Sequence, residues 1–468
     1  MKITFFGAAQ GVTGSKHLIE SNGYKILLDC GLHQGKRQEA YELNKTLPFN
    51  PKEIDAVILS HAHADHCGML PMLIKGGYEN KIFTTPTTAD IARLIMLDSA
   101  KIQATDYLHL KNNGVPEKDL LPPLYTTDEV EVACKHFAPI PYARVKAGWH
   151  SLTKQIRFKF YDAGHILGSA VTVLQTDEPN GTKTLAFTGD LGNVHVPILN
   201  DPEFIEEQVD ALISECTYGN KNHRPVGDVT KLLIEVINDA IQHKRKIIVP
   251  AFALGRTQEL IYVLHKLYDE KKIPSIPIYL DSPLGNDVTE AFTEHYEDFD
   301  HETWQDFISH HESPFAFKNL HSVTTTEESK KLNSMTGPCM IIASSGMCEG
   351  GRILHHLEHN ISNRNSIIII TGYQAEHTLG RKILEGVNPV RIYDRFYEVN
   401  AKIMTINEFS AHADQTGLFN YISKIRELKD VFLVHSEADQ ANTFEKLLND
   451  RLPRLKVIIP KIAESFEI

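Results

Sequence analysis

Residues 60–70, SHAHADHCGML, place three histidines and an aspartate within six positions, directly after the apolar run DAVIL. A strand that breaks into imidazoles and a carboxylate must end at an accessible edge. The stretch therefore reads as a polar loop at the tip of an apolar strand, the place where sites assemble in a sheet protein. One HxH pair is expected about once by chance among 24 histidines in 468 residues, but Asp65 and His66 make the cluster specific. His61 and His63, two apart in extended chain, point to the same side and can share one metal ion. Asp65 and His66 then turn towards a second position. Nitrogen with carboxylate and no thiolate is the donor set of zinc in an open, catalytic site. Four ligands do not complete two such sites. Three residues at the ends of apolar strands can supply the rest: His165 in FYDAGHILGSA, Asp190 in LAFTGDLGN and His435 in VFLVHSE.

The rest of the chain divides by texture. Up to about residue 215 it reads mainly as short strands: KITFFGA, YKILLDCG, KIFTT, QIRFKFYDAG, AVTVLQT, KTLAFTGD and ALISECT. Residues 88–104 and 128–137 read as helices. From about residue 228, helical patterns alternate with apolar runs such as KIIVPAFAL, CMIIASS and SIIIITGY. That alternation predicts an α/β region with a parallel sheet flanked by helices. The end returns to short strands separated by helices. Site-like residues on both sides of the middle block predict an inserted domain. The expected division is 1–218, 219–400 and 401–468.

Composition narrows the classes. The net charge of −12 disfavours nucleic acid as a partner but does not exclude it, because phosphate binding depends on local charge. Six cysteines without a CxxC pair suit buried thiols in a reducing cytoplasm. No apolar run reaches the roughly 18 residues of a membrane span. The start, MKITFFG, reads as a first strand rather than a signal peptide. GAAQGVTGSK imitates a phosphate-binding loop, but Gly-Ser-Lys is not Gly-Lys-Ser.

Asp29 in LLDCG, the HAHADH run, His165 and Asp190 resemble the successive motifs of the metallo-β-lactamase fold. ECTYG with Glu215, SAHAD with His412 and LVHSE with His435 resemble the additional motifs of its β-CASP branch. PAFALGRTQEL, LDSP, IASSGMCEGGR and TGYQAEHTLGR resemble segments of that branch's inserted domain. The likeness spans nearly the whole chain and is strongest to RNA-processing members. It implies an αββα sandwich with an inserted β-CASP domain. It also implies a zinc-dependent ribonuclease that hydrolyses phosphodiesters with water activated by two metals, endonucleolytically or also from a 5′ end. Alternatives of the same fold are a DNA nuclease, a small-ester hydrolase or a non-catalytic scaffold. His435 favours RNA, since DNA-repair members carry Val there.

Carried over, the resemblance gives His61, His63 and His165 to one zinc, and Asp65, His66 and His435 to the other. Asp190 bridges the two zinc ions. His412 serves the leaving oxygen and Glu215 orients it, so that Asp65, Asp190, Glu215 and His412 count as catalytic. Asp29 lies behind the ligands. Arg256, Ser345, Gly346, Arg352 and Arg381, each beside glycine in a turn or at a helix start, are expected phosphate contacts. The expected partner is single-stranded RNA, in the cytoplasm, and a homodimer is admitted. With about 30 residues after His435, no further C-terminal domain of the RNase J type is expected.

Overall fold

The computed structural model describes residues 1–145, 148–223, 227–372, 374–375, 377–406 and 411–468. The chain forms two compact units. The first takes Met1–Val194, Asp201–Asn222 and His412–Ile468, and the second His195–Asn200 and His223–Ala411. The second unit thus runs later at both ends than the 219–400 expected from sequence. It also takes a short segment from within the first.

The first unit is built on two seven-stranded sheets. One runs in the order Ser465–Glu467, Lys2–Phe5, His17–Ser21, Tyr24–Leu28, Ala56–Ile58, Ile82–Thr84, Phe137–Pro139. The other runs Lys456–Ile458, Asp430–Val434, Ala211–Glu215, Gly181–Phe187, Ala170–Glu178, Ile156–Asp162, His150–Ser151. Side chains alternate along a strand, so each sheet has two faces to cover. Phe5, Ile19, Ile26 and Ile58 of the first sheet share one core with Phe158, Phe160, Phe187, Ile213 and Phe432 of the second. Each buried phenylalanine contributes about 1.5–3 kcal/mol. The alternate residues Val171, Val173, Leu212 and Leu433 pack instead with Leu418 and Ile422 of helix Gln415–Lys424 and Phe444 and Leu448 of helix Ala438–Arg451. On the first sheet the alternates Leu27 and Val57 are equally buried. The layering is the expected αββα sandwich.

Two local readings are corrected. The helix expected over 88–104 is Pro86–Asn112, because Pro86 fits its first turn and the Thr85 hydroxyl accepts from the Thr88 N–H at 3.1 Å. The helix expected over 128–137 is Thr127–Cys134, after which Phe137–Pro139 joins the sheet edge.

The second unit holds a six-stranded sheet in the order Leu320–Ser322, Ile278–Leu280, Cys339–Ala343, Lys246–Pro250, Ser366–Thr371, Lys402–Ile406. Every pairing in it is parallel. Ile367, Ile368, Ile369 and Ile370 are all fully buried, as a strand covered on both faces requires. Ile353 and Leu357 of helix Arg352–Asn360 pack with Ile368 and Ile370 on one face.

In the first unit, Gly181–Phe187, Ala211–Glu215 and Asp430–Val434 are adjacent and parallel. Their carboxyl ends therefore emerge at one edge of the sandwich, and Asp190, Glu215 and His435 lie at those ends.

Candidate metal centre

The strand Ala56–Ile58 runs on through buried Leu59 and Ser60 to His61, and the chain then turns into the short helix Ala64–Cys67. His63 stands at the N-cap without a side-chain capping bond, so its ring is free to face the site. The helix is strapped down from outside. Ser15 N donates to Asp65 O at 2.8 Å, Cys30 N to His66 O at 2.8 Å and Leu32 N to Ala64 O at 2.9 Å. The approach at residue 31 is so close that a Cβ there would lie 1.6 Å from Asp65 O. Only glycine fits.

One group of ligand atoms comprises His61, His63, His165 and Asp190, all within 4.8 Å of one another. His63 Nδ1 is 3.1 Å from His61 Nε2 and 3.2 Å from His165 Nε2. Asp190 Oδ2 is 3.4 Å from His61 Nε2 and 3.5 Å from His165 Nε2. A second group comprises Asp65, His66 and His435. His435 Nε2 is 3.3 Å from Asp65 Oδ2, and the other oxygen of Asp190, Oδ1, is 3.4 Å from His66 Nε2. Asp190 thus offers one oxygen to each group.

Behind the second group lies Asp29, fully buried, with φ +59. Its Oδ2 accepts from His66 Nδ1 at 2.7 Å, Ser60 Oγ at 3.0 Å and Ser15 Oγ at 3.1 Å, and its Oδ1 from Ser60 N at 2.8 Å. With Nδ1 spent on Asp29, His66 turns Nε2 to the site. The loop that imitated a phosphate cradle is used internally as well. Ser15 serves Asp29, and buried Lys16, lowered to about 8 by its burial, donates to Gly14 O at 3.1 Å.

His412 stands beside both groups, its ring centroid 4.4 Å from that of His165. Its Nδ1 donates to Glu215 Oε1 at 2.9 Å, and Glu215 is held by Leu191 N at 2.7 Å and Thr217 N at 3.2 Å. Burial favours the neutral ring, but the carboxylates of Glu215 and Asp190 outweigh it and lift His412 to about 9.

These groups fit a divalent cation on three counts. Ligand atoms 2.0–2.1 Å from a tetrahedral ion lie about 3.3 Å apart, which is the spacing found here. Burial, followed by the neighbouring imidazoles, holds His165 well below the usual histidine value and His63 down at about 3, so their lone pairs are available. His66 Nε2 and Asp190 Oδ1 are buried with no hydrogen-bond partner, a state a cation between them would relieve.

All the expected ligands, with Asp29, Glu215 and His412, therefore meet in the first unit. The expected phosphate contacts lie in the second. There Arg256 is buried against Glu259 at 2.6 Å, and Arg352 Nη1 meets Asp281 Oδ1 at 2.6 Å while Nη2 donates to Thr324 O at 2.9 Å. Arg381 Nε meets Glu385 at 2.6 Å. Ser345 Oγ accepts from Glu349 N at 3.1 Å, and Gly346 lies so close to the Phe252 ring that a Cβ would come within 2.6 Å. Sequence reading missed Thr217, whose hydroxyl touches His435. Its position in ECTYG, two residues after Glu215, was the available signal.

Comparison with known proteins extends these observations. Residues 18–184 match the metallo-beta-lactamase superfamily domain, 257–383 the Beta-Casp domain, and 397–460 the Zn-dependent metallo-hydrolase RNA specificity domain. Ribonuclease TTHA0252 of Thermus thermophilus is 35% identical over 449 residues, covering 96% of each chain. An RNase J-like protein of Methanocaldococcus jannaschii is 30% identical over 445 residues, 94% of each chain. The transcription termination factor FttA of the same organism is 29% identical over 476 residues, 100% of this chain and 72% of that protein. A protein of unknown function from Enterococcus faecalis shares the fold across 99% of both chains, with a TM-score of 0.54 at 12% identity.

Proposed function

Because the chain belongs to the β-CASP family of the metallo-β-lactamase superfamily, whose members are metal-dependent hydrolases, we propose that it is a zinc-dependent ribonuclease acting in RNA processing or decay. The observation that carries this reading is the pair of ligand groups joined through Asp190, with His412 on Glu215 beside them. In this reading His61, His63 and His165 hold one zinc, Asp65, His66 and His435 the other, and Asp190 touches both. Bound there, the ions supply the Lewis acidity that makes water a nucleophile at neutral pH and offsets charge developing at phosphorus.

The chain's own residues do the rest. Asp29 keeps His66 turned inward. Glu215 keeps the His412 ring fixed, with Nδ1 occupied, so that its other nitrogen can give a proton to the leaving 3′ oxygen. His61, His165 and Asp190 are almost wholly buried, whereas His63, Asp65 and His412 are partly exposed. So recessed a site suits a single RNA strand, which can bring one phosphate inward, better than a duplex. The match of 397–460 to an RNA specificity domain takes in His412 and His435 and supports RNA as the substrate. Among the described residues, no helix is long and apolar enough to cross a membrane.

The test is direct. Purified protein with zinc should cleave a labelled RNA, and Asp190→Ala or His63→Ala should abolish cleavage. Cleavage that survives Asp190→Ala overturns the mechanism.

A further inference from the structure

His435 comes at the end of strand Asp430–Val434 with φ +53, a left-handed conformation that a residue bearing a Cβ adopts only when its neighbours hold it there. Part of the hold is backbone: His435 N donates to Ala8 O at 2.7 Å. The remainder comes from the adjacent strand. Just past its end, Cys216 N donates to Val434 O at 3.1 Å, and the Cys216 thiol meets the Ser436 hydroxyl at 2.9 Å. Between them, Thr217 Oγ1 lies 3.0 Å from His435 O and 3.1 Å from His435 Nδ1.

A hydroxyl has one hydrogen, and a carbonyl oxygen can only accept. The Thr217 O–H therefore goes to His435 O, and His435 Nδ1–H donates back to the Thr217 oxygen. The Nδ1 is nearer to that oxygen than to Asp190 Oδ1, at 3.5 Å. Nδ1 therefore carries a proton, and Nε2 faces the second ligand group, 3.3 Å from Asp65 Oδ2, where a bound cation would take its lone pair. Thr217 also reaches the other half of the site. Its backbone N–H donates to Glu215 Oε2 at 3.2 Å, while Glu215 Oε1 takes His412.

We propose that Thr217 is a positioning residue that fixes the tautomer and rotation of His435 as a metal ligand, and that through its N–H it ties the same segment to the carboxylate orienting His412. This assignment rests on the two-metal reading. Partners behind metal-bound imidazoles are typically worth ~10–100-fold in metal affinity.

The experiment titrates the metal-free full chain with Co2+, following absorbance and binding heat, for wild type, Thr217→Val and Thr217→Ser. Valine keeps the branched shape without the hydroxyl, and serine restores the hydroxyl without the methyl. Wild type should take two equivalents. Thr217→Val should take the first as wild type does and the second about 10–100-fold more weakly. Thr217→Ser should return to within about threefold of wild type, far short of that loss. A second equivalent bound normally by Thr217→Val overturns the assignment alone, and so does a Ser variant as weak as the Val variant. A wild type that takes only one equivalent overturns the two-metal reading and the assignment with it. Independently of any variant, long-range 1H–15N spectra of the metal-free chain should show His435 protonated at Nδ1, and protonation at Nε2 alone would sink the proposal.

Discussion

The carboxylate of Asp29 and the imidazole of His66, 37 residues apart in the chain, meet at 2.7 Å with both side chains buried. A buried carboxylate accepting an N–H fixes the ring that carries it and makes the opposite nitrogen more basic. The contact is thus an orienting device for the second ligand group.

Replacing Asp29 by alanine should therefore loosen that group most, and the other less, through Ser60, whose hydroxyl lies 3.0 Å from both Asp29 Oδ2 and His61 Nδ1. The expected loss is ~10–100-fold in affinity for the second metal equivalent, with a smaller loss for the first. Calorimetric zinc titration reads it, and equal weakening of both equivalents would show that Asp29 acts on the whole fold instead.

His412 stands outside the ligand groups: its Nδ1 donates to Glu215 at 2.9 Å and lies 4.0 Å from Asp190 Oδ2. His412→Ala should retain two metals by elemental analysis while single-turnover RNA cleavage falls ~10²–10⁴-fold. Metal loss in this variant would mean that His412 is a ligand and not a proton donor.

Gly31 permits the strap across Asp65 and His66, where an added Cβ would sit 1.6 Å from Asp65 O. Gly31→Ala must push the ligand helix away. It should cost roughly 1–3 kcal/mol of stability, as overpacking does, together with zinc affinity. Unchanged melting and unchanged zinc content would contradict the close approach.

Asp281 in the second unit is fully buried and accepts from Ser329 Oγ, His356 Nε2 and Arg352 Nη1, each at 2.6 Å. Burial alone would raise this carboxyl, but the three donors outweigh it and hold it below the usual value. A carboxyl depressed on folding contributes stability above its unfolded value, near 4, and loses it as pH falls through the folded one. Asp281→Asn should cost on the order of 3 kcal/mol at pH 7, as breaking a buried ion pair does. The gap from wild type, read by urea unfolding, should narrow below about pH 4. A gap as wide at pH 3.5 as at pH 7 would mean that the carboxylate charge carries none of it.

The candidate metal centre was legible because ligation needs uncommon side chains at strand tips, and His61, His63, Asp65, His66, His165, Asp190 and His435, which the fold brings together, all announce themselves that way. The αββα layers followed from resemblance and from period-two runs. Short strands without strong alternation, such as His17–Ser21 and Phe137–Pro139, gave no signal and are fixed by their partners. Arg256 and Arg352 looked like free cations in glycine turns. Glu259 holds the first, a pairing its i, i+3 spacing made visible, and Asp281 holds the second, an acid 71 positions away that no local pattern reveals. Thr217 was hidden for a related reason. Its hydroxyl matters only once Glu215 is paired beside Val434, a register set by two strands more than 200 residues apart in the chain.

The strand Asp430–Val434 is an interior member of its sheet, between Ala211–Glu215 and Lys456–Ile458. During translation, the HAHADH loop, His165 and Asp190 leave the ribosome early, but the whole of His223–Ala411 must follow before His412 and His435 can be supplied. A nascent chain therefore carries an incomplete site throughout most of its synthesis. On the ribonuclease reading, it is inert towards the very message that encodes it.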